Sequence, residues 1–213
     1  MKITWYGHSC FLIEAKEGRI LTDPFDAKVP YDFPDSPVDI VTVSHDHFDH
    51  NAVDRVAGDP AVVKGQGKRS VAGIDFTGVG SYHDDRRGAE RGENTIHAFD
   101  LEGIRIAHLG DLGTVLDDRQ IAEIGDVRIL LIPVGGHFTI DAAAAAAVIR
   151  SLEGVRIVIP MHFKTDRIPD WPIETVERFA GMMENVKRIG SASVTVAPDT
   201  IPVSREVWIL KHA

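Results

Sequence analysis

The chain has 213 residues, 44% of them apolar, enough to bury a proper core as a single globular unit spanning residues 1–213. Its formal charge of -9 argues against a broad nucleic-acid surface, which draws its affinity from Lys and Arg. No run approaches the roughly 18 consecutive apolar residues of a membrane-spanning helix, and no basic-then-apolar signal pattern opens the sequence. One cysteine, Cys10, excludes an internal disulfide and a thiolate metal site, which agrees with a reducing compartment and a cytoplasmic location.

In chain order, short strands separated by turn signals are expected at 2–6, 10–14, 19–22 and 38–44, the last after a Pro/Asp-rich loop at 30–37. A helix is expected at 51–57, then strands at 61–64, 75–79, 95–100 and 104–108. Beyond these, a helix at 117–124 and a β-branched strand at 127–133 precede a helix at 141–152, a second β-branched strand at 155–160 and a helix at 173–185. Asp117 and Asp141 are placed as N-caps. The alanine run from Ala142 to Ala147 reads as a helix packed closely on a sheet, alanine being the best helix former. Strands flanked by helices, without a Gly/Ser linker or an internal repeat, indicate an α/β layered architecture.

Ten histidines are more than packing alone requires, and three of them, His45, His47 and His50, fall within six residues. The densest is Ser44-His45-Asp46-His47-Phe48-Asp49-His50-Asn51, which leaves a buried strand, so its side chains project from a strand-end loop where α/β sites are normally built. Neutral imidazole and carboxylate suit Zn(II), Fe(II) or Mn(II). Alternation along an extended loop sends His45 and His47 one way, while Asp49 and His50 can serve a second ion. Packing these groups together with no cation would leave charges to be compensated.

The segment matches the His-x-His-x-Asp-His signature of the metallo-β-lactamase superfamily, and the chain resembles that superfamily at further points in order. Asp23 in Leu21-Thr22-Asp23-Pro24 is similar to its early supporting Asp, and His83 in Ser81-Tyr82-His83-Asp84 resembles its third ligand motif. Asp111 in His108-Leu109-Gly110-Asp111 looks like its bridging Asp, and His162 in Pro160-Met161-His162-Phe163 like its last ligand. The resemblance implies a four-layer αβ/βα sandwich with two divalent ions, Zn(II) first among them. His45, His47 and His83 would hold one ion, Asp49, His50 and His162 the other, and Asp111 would bridge both.

The opening Trp5-Tyr6-Gly7-His8-Ser9-Cys10, the loop Arg91-Gly92-Glu93-Asn94 and the stretch from Pro133 to Thr139 resemble a small branch of Zn-dependent hydrolases similar to ascorbate-6-phosphate lactonases. Nothing resembles the helical arm of the tRNA-processing members, and Asp46 stands where flavin di-iron members carry Glu, which disfavours redox chemistry. A hydroxide bridging two cations, oriented by Asp49 and Asp111, would then attack a small anionic ester, lactone or amide. Phosphodiester hydrolysis, nuclease activity included, and non-catalytic metal binding are the alternatives.

His8 and His137, each beside glycine in a turn, are candidates to line the pocket and act on a developing oxyanion or leaving group. His108 and Asn94 are candidates to support the ligands, while His97 and His212 read as structural or exposed. Lys164, Arg86, Arg87 and Arg91 are candidates to hold an anionic group near the metals. Cys10 reads as core. The expected partner is a small molecule, and the oligomeric state is not legible.

Overall fold

The computed structural model describes residues 1–213. In chain order the strands are β1 (Lys2–Gly7), β2 (Cys10–Ala15), β3 (Gly18–Thr22), β4 (Ile40–Val43), β5 (Ala61–Lys64), β6 (Gly67–Val71), β7 (Ile74–Tyr82), β8 (Glu93–Leu101), β9 (Ile104–His108), β10 (Ile129–Pro133), β11 (Ile157–Met161), β12 (Val186–Arg188), β13 (Ser193–Thr195) and β14 (Glu206–Ile209). The helices are α1 (Asp118–Ile124), α2 (Ala142–Ser151) and α3 (Val176–Ala180). The strands form a six-stranded sheet, β13-β1-β2-β3-β4-β5, and an eight-stranded sheet, β12-β14-β11-β10-β9-β8-β7-β6. Each sheet is mixed: hairpin-joined strands pair antiparallel, and strands reached by crossovers pair parallel, as in β3-β4-β5 and β9-β10-β11-β14-β12.

Period-two alternation explains how the first sheet packs on both faces. Ile3, Trp5, Phe11, Ile13, Ile20 and Ile40 enter the large core shared with the second sheet. Cys10, Leu12, Leu21, Val41 and Val43 point the other way, into a smaller cluster closed by Phe25, Val29 and Tyr31 from the segment after β3 and by Ile168 and Ile173. Each of β10 and β11 is buried along its whole length, as expected for central parallel strands. The result is the mixed α/β sandwich anticipated from the sequence, with few and short helices outside its two sheets.

Capping decides where those helices hold. Asp117 and Gln120 form a reciprocal capping box on α1, at 2.7 and 3.0 Å, and Asp141 accepts from Ala144 N at 2.9 Å on α2. Two expected helices shrink. Residues 51–57 form only a 3-10 turn at Val53–Arg55, because Ala52 N donates to Pro24 O and the Asn51 amide reaches Asp46, drawing this segment onto its neighbours. The helix expected at 173–185 is confined to Val176–Ala180, where Gly181 ends it. Four strands went unanticipated, β6, β12, β13 and β14; all are short, and none of the side chains of the first three is buried. No helix is long and apolar enough to cross a membrane.

This topology brings the C-terminal ends of β1, β3, β4, β7, β9 and β11 to one edge of the sandwich. His8, Asp23, the segment from Ser44 to His50, His83, Asp111 and His162 each follow one of those ends.

Candidate metal centre

Asp23 is fully buried and acts only as an acceptor. It receives Ser44 N at 2.8 Å, Ser44 Oγ at 2.6 Å and His50 Nδ1 at 2.9 Å. The proton on His50 therefore sits on Nδ1, and Nε2 is presented to the interior. Because the Ser44 hydroxyl gives its proton to Asp23, it accepts from His45 Nδ1 at 2.9 Å, which leaves His45 Nε2 facing His47 Nδ1 at 3.0 Å. One carboxylate and one hydroxyl thus fix the tautomers of two imidazoles, as second partners of metal-binding histidines do.

Asp111 lies at the centre. Its Oδ2 is 3.2 Å from His50 Nε2, 3.2 Å from His83 Nε2 and 3.3 Å from His162 Nε2, and its Oδ1 is buried without a partner. Asn94 carries this loop: its Oδ1 accepts Asp111 N at 3.0 Å, and its amide donates to Leu109 O and Ser81 Oγ. Gly110 makes the approach feasible. With φ at 55°, a Cβ there would lie 2.3 Å from Asn94 Oδ1 and 2.5 Å from Ser44 Cβ.

Three groups place their ligand atoms within 4.8 Å of one another: His45, His47 and His83; His8, His50 and His162; and His45, His50 and Asp111. Asp49 joins the second through His8 Nε2, at 3.1 Å, and approaches His50 Nε2 at 3.8 Å. The arrangement suits cations. Imidazole nitrogens converge on one carboxylate oxygen, and the other oxygen of that carboxylate is sealed among them without a partner, a demand that a bound cation would answer.

Ionisation points the same way. Burial, reinforced by His162, pushes His8 down to about 4, and burial reinforced by His50 pushes His45 down to about 3, so both are neutral at pH 7. Burial alone would raise Asp23, but the neighbouring His108 and His50 bring it down to about 2. Asp49 and Asp111 are likewise held low against burial, Asp49 by His50 and His8, Asp111 by His162 and His50. His50 moves the other way: burial disfavours its charge, and Asp111 and Asp49 overcome that. Ionised carboxylates beside the neutral rings of His8 and His45 are protonation states that suit a metal, and His50, whose charge Asp111 and Asp49 favour, would give up its Nε2 proton on binding one.

Above this floor opens a cleft of ≈ 590 Å³ whose walls include His47, Asp49, His83, Asp111 and His162. His8 does not reach it. Only 1% exposed, its ring packs 4.2 Å from that of the candidate ligand His162 and edge-on to Trp171, behind the cleft wall. His137, with φ at 59°, faces an adjoining cavity beyond Phe138, and Lys164 lines a separate cavity beside Trp5 and His212. Neither stands on the cleft. His108 is buried, with Nε2 2.8 Å from Ser9 O and Gly110 N donating to its Nδ1 at 3.2 Å; His97 contacts Val43 O. Of the arginines, Arg91 alone reaches the cleft; Arg86 is exposed and pairs with Glu90 at 3.0 Å, and Arg87 is exposed. Cys10 is a buried free thiol.

Four contributors were not singled out from the sequence. Ser44 links Asp23 to His45. Asp84 accepts four backbone N–H groups, from Arg86, Gly88, Glu90 and Arg91 at 2.7–2.9 Å, and thereby shapes the loop after His83. Burial would raise Asp84; the four donors hold it at about 2. Phe48 and Trp171 flank the cleft. The available signals were an acidic residue directly after a ligand and before Arg-Arg-Gly, and a tryptophan set between Pro169 and Pro172.

The β-lactamase superfamily domain profile matches residues 2–162. A UPF0173 metal-dependent hydrolase of Thermoplasma volcanium is 31% identical over 193 residues, covering 78% of this chain and 84% of its own. Another, from Methanosphaerula palustris, is 28% identical and covers 93% of this chain and 97% of its own. Among solved structures, a Thermotoga maritima protein described as a Zn-dependent hydrolase of the metallo-β-lactamase superfamily superimposes with a TM-score of 0.83. It has 35% identity, over 98% of this chain and 97% of that one.

Proposed function

This chain belongs to the metallo-β-lactamase superfamily and, within it, to the UPF0173 metal-dependent hydrolases; from that premise we propose that it hydrolyses a small anionic ester, lactone or amide with two divalent ions, Zn(II) first among them. The observation that carries this reading is the Asp111 carboxylate, with three imidazole Nε2 atoms at 3.2–3.3 Å from one oxygen and the other oxygen sealed without a partner beneath an open cleft. When bound, the ions supply an activated water near neutral pH and Lewis acidity toward the scissile oxygen.

The residues do the rest. His45, His47 and His83 would hold one ion, Asp49, His50 and His162 the other, and Asp111 both. His8 Nε2 is aimed at the second set and would complete it, a supporting role in place of the substrate contact expected from its turn. Asp49 and Asp111, ionised and on the cleft wall, would orient the attacking water. Asp23 and Ser44 keep His50 and His45 in the tautomers that expose Nε2. Residues 1–213 read as a single domain, since the main core draws on Met1 through Leu210, and the free thiol of Cys10 suits the cytoplasm.

The test is turnover of a lactone and ester panel beside bis-p-nitrophenyl phosphate, with and without chelator. Chelator-sensitive turnover of the panel supports the reading. Preference for the phosphodiester would move the protein to the phosphodiesterases. Two bound ions with no turnover of any substrate would leave a metal-binding protein.

A further inference from the structure

Most arginines of this protein spend their donors internally. Arg69 donates to the carbonyls of Lys64, Gly65 and Gln66, Arg105 to Ile124 O and Asp100, and Arg205 to Val155 O and Leu152 O. Arg91 does not. Its backbone N–H is fixed at 2.7 Å on Asp84, but its guanidinium makes no hydrogen bond within the protein. Its one carboxylate neighbour, Glu90, is 3.7 Å away and already engaged by Arg86. The loop is therefore rigid at Arg91 Cα while five N–H donors stand free on the cleft wall that also carries the candidate ligand His83.

The same cleft has apolar walls that a purely polar reaction does not need. Phe48 is 48% exposed although it sits between the candidate ligands His47 and Asp49. Phe138 lies under the Arg91 guanidinium, 5.8 Å from ring centroid to Cζ, and Trp171 is braced edge-on against His8 at 5.3 Å. Exposed aromatic surface around a concave site marks ligand contact, and a guanidinium over an aromatic face is pre-oriented for a flat, anionic partner. Asp170, beside Trp171, disfavours an anion at that end, which leaves Arg91 as the anchor.

We infer that Arg91, Phe48, Phe138 and Trp171 form a substrate-selecting subsite for a compound with an apolar, preferably aryl, body and one carboxylate or phosphate group, the oxyanion taken by Arg91 and the body by the rings. The inference rests on the reading of the cleft as a hydrolytic site and narrows its substrate class. At a net charge of -9 the protein as a whole repels anions, so selection for one must be local, and a bidentate guanidinium provides it.

The test is isothermal titration of the metal-loaded protein with N-phenylsuccinamate, which carries an aryl amide and a remote carboxylate, and with its neutral counterpart N-phenylsuccinamide. The wild type is expected to bind the carboxylate at least tenfold more tightly. Arg91→Gln should weaken carboxylate binding by tenfold or more and leave the neutral probe within twofold, Arg91→Lys should recover only part of the loss, and Phe138→Ala should weaken both probes. Because the Asp84 contact uses the Arg91 backbone, these side-chain changes leave the loop in place, and unaltered metal content checks this. Equal binding of the carboxylate by the wild type and Arg91→Gln, or binding of neither probe by the wild type, overturns the subsite. Arg91-dependent binding without chelator-sensitive turnover of any substrate would overturn the hydrolase reading alone.

Discussion

On the floor of the cleft Asp23 accepts three hydrogen bonds and Asp111 meets three imidazoles, whereas on the rim the Arg91 guanidinium donates no hydrogen bond within the protein and Phe48 stands half in solvent. The floor is over-determined where Asp23 sits: His50 is held by Asp23 and His45 by Ser44, which Asp23 holds in turn, so moving one group disturbs several. The rim is under-determined, with side chains free to meet something from outside. A floor of this kind specifies metal chemistry and leaves the substrate open, and specificity has to come from the sparser rim.

Substitutions can break that contrast, and the largest effect is expected at its centre. Asp111→Asn should cost at least about 100-fold in turnover, beyond the usual loss from an outer partner of a metal ligand, and should release bound metal in the same preparation. Asp23→Ala removes the acceptor that orients His50. The expected outcome is a roughly 10- to 100-fold weaker metal affinity by competition with a chelator, together with about 3 kcal/mol of lost stability by denaturant titration. If Asp23→Ala were silent, the floor would not be over-determined.

Next in size is Gly110→Ala, which forces a Cβ toward Asn94 Oδ1 and Ser44 at a left-handed backbone position. It should destabilise by roughly 2 kcal/mol, read as a fall in Tm of about 4–8 °C. The pH dependence of the loop after His83 follows from Asp84. Its folded pKa, about 2, lies below the ordinary carboxylate value of about 3.9, so its contribution is complete above the ordinary value and lost as pH falls through about 2. Protection of the amides of Arg86, Gly88, Glu90 and Arg91, measured as exchange relative to the unfolded peptide at the same pH, should fall across that window in the wild type, and Asp84→Asn should abolish that change in protection. The smallest stability effect belongs to the rim: Trp171→Ala should stay within about 0.5–1 kcal/mol of the wild type while raising KM for aryl substrates. A large stability loss there would make Trp171 part of the floor.

The floor was also the more legible region. Four candidate ligands within His45 to His50 make a local signal that no packing argument absorbs, and Asp23, His83, Asp111 and His162 were legible through the resemblance to the superfamily, supported by the place of each after a strand. The folded chain adds what spacing cannot carry, such as Ser44 handing its proton to Asp23, or His8 turning inward at φ 51° to face Asp49 instead of solvent. The rim was nearly silent because Phe48, Phe138 and Trp171 come from three distant loops and have no periodicity in common. Secondary structure followed the same rule. Most strands with buried, branched faces were visible; β6, β12 and β13, which pair through backbone with half-buried or exposed side chains, were not, nor was the four-residue β14 despite its buried Val207 and Ile209. The segment 51–57 has helical composition, yet its backbone is claimed by Pro24 O, a long-range contact that local propensity does not contain.

The most direct test of the central claim is elemental analysis of protein purified without added metal and then loaded with Zn(II) or Mn(II), run beside His47→Ala and Asp111→Asn. About two ions per wild-type chain are expected, fewer in both variants, with chelator-sensitive hydrolysis that falls with the metal content. A wild-type protein that binds no ion after loading would have no metal centre at the floor of the cleft.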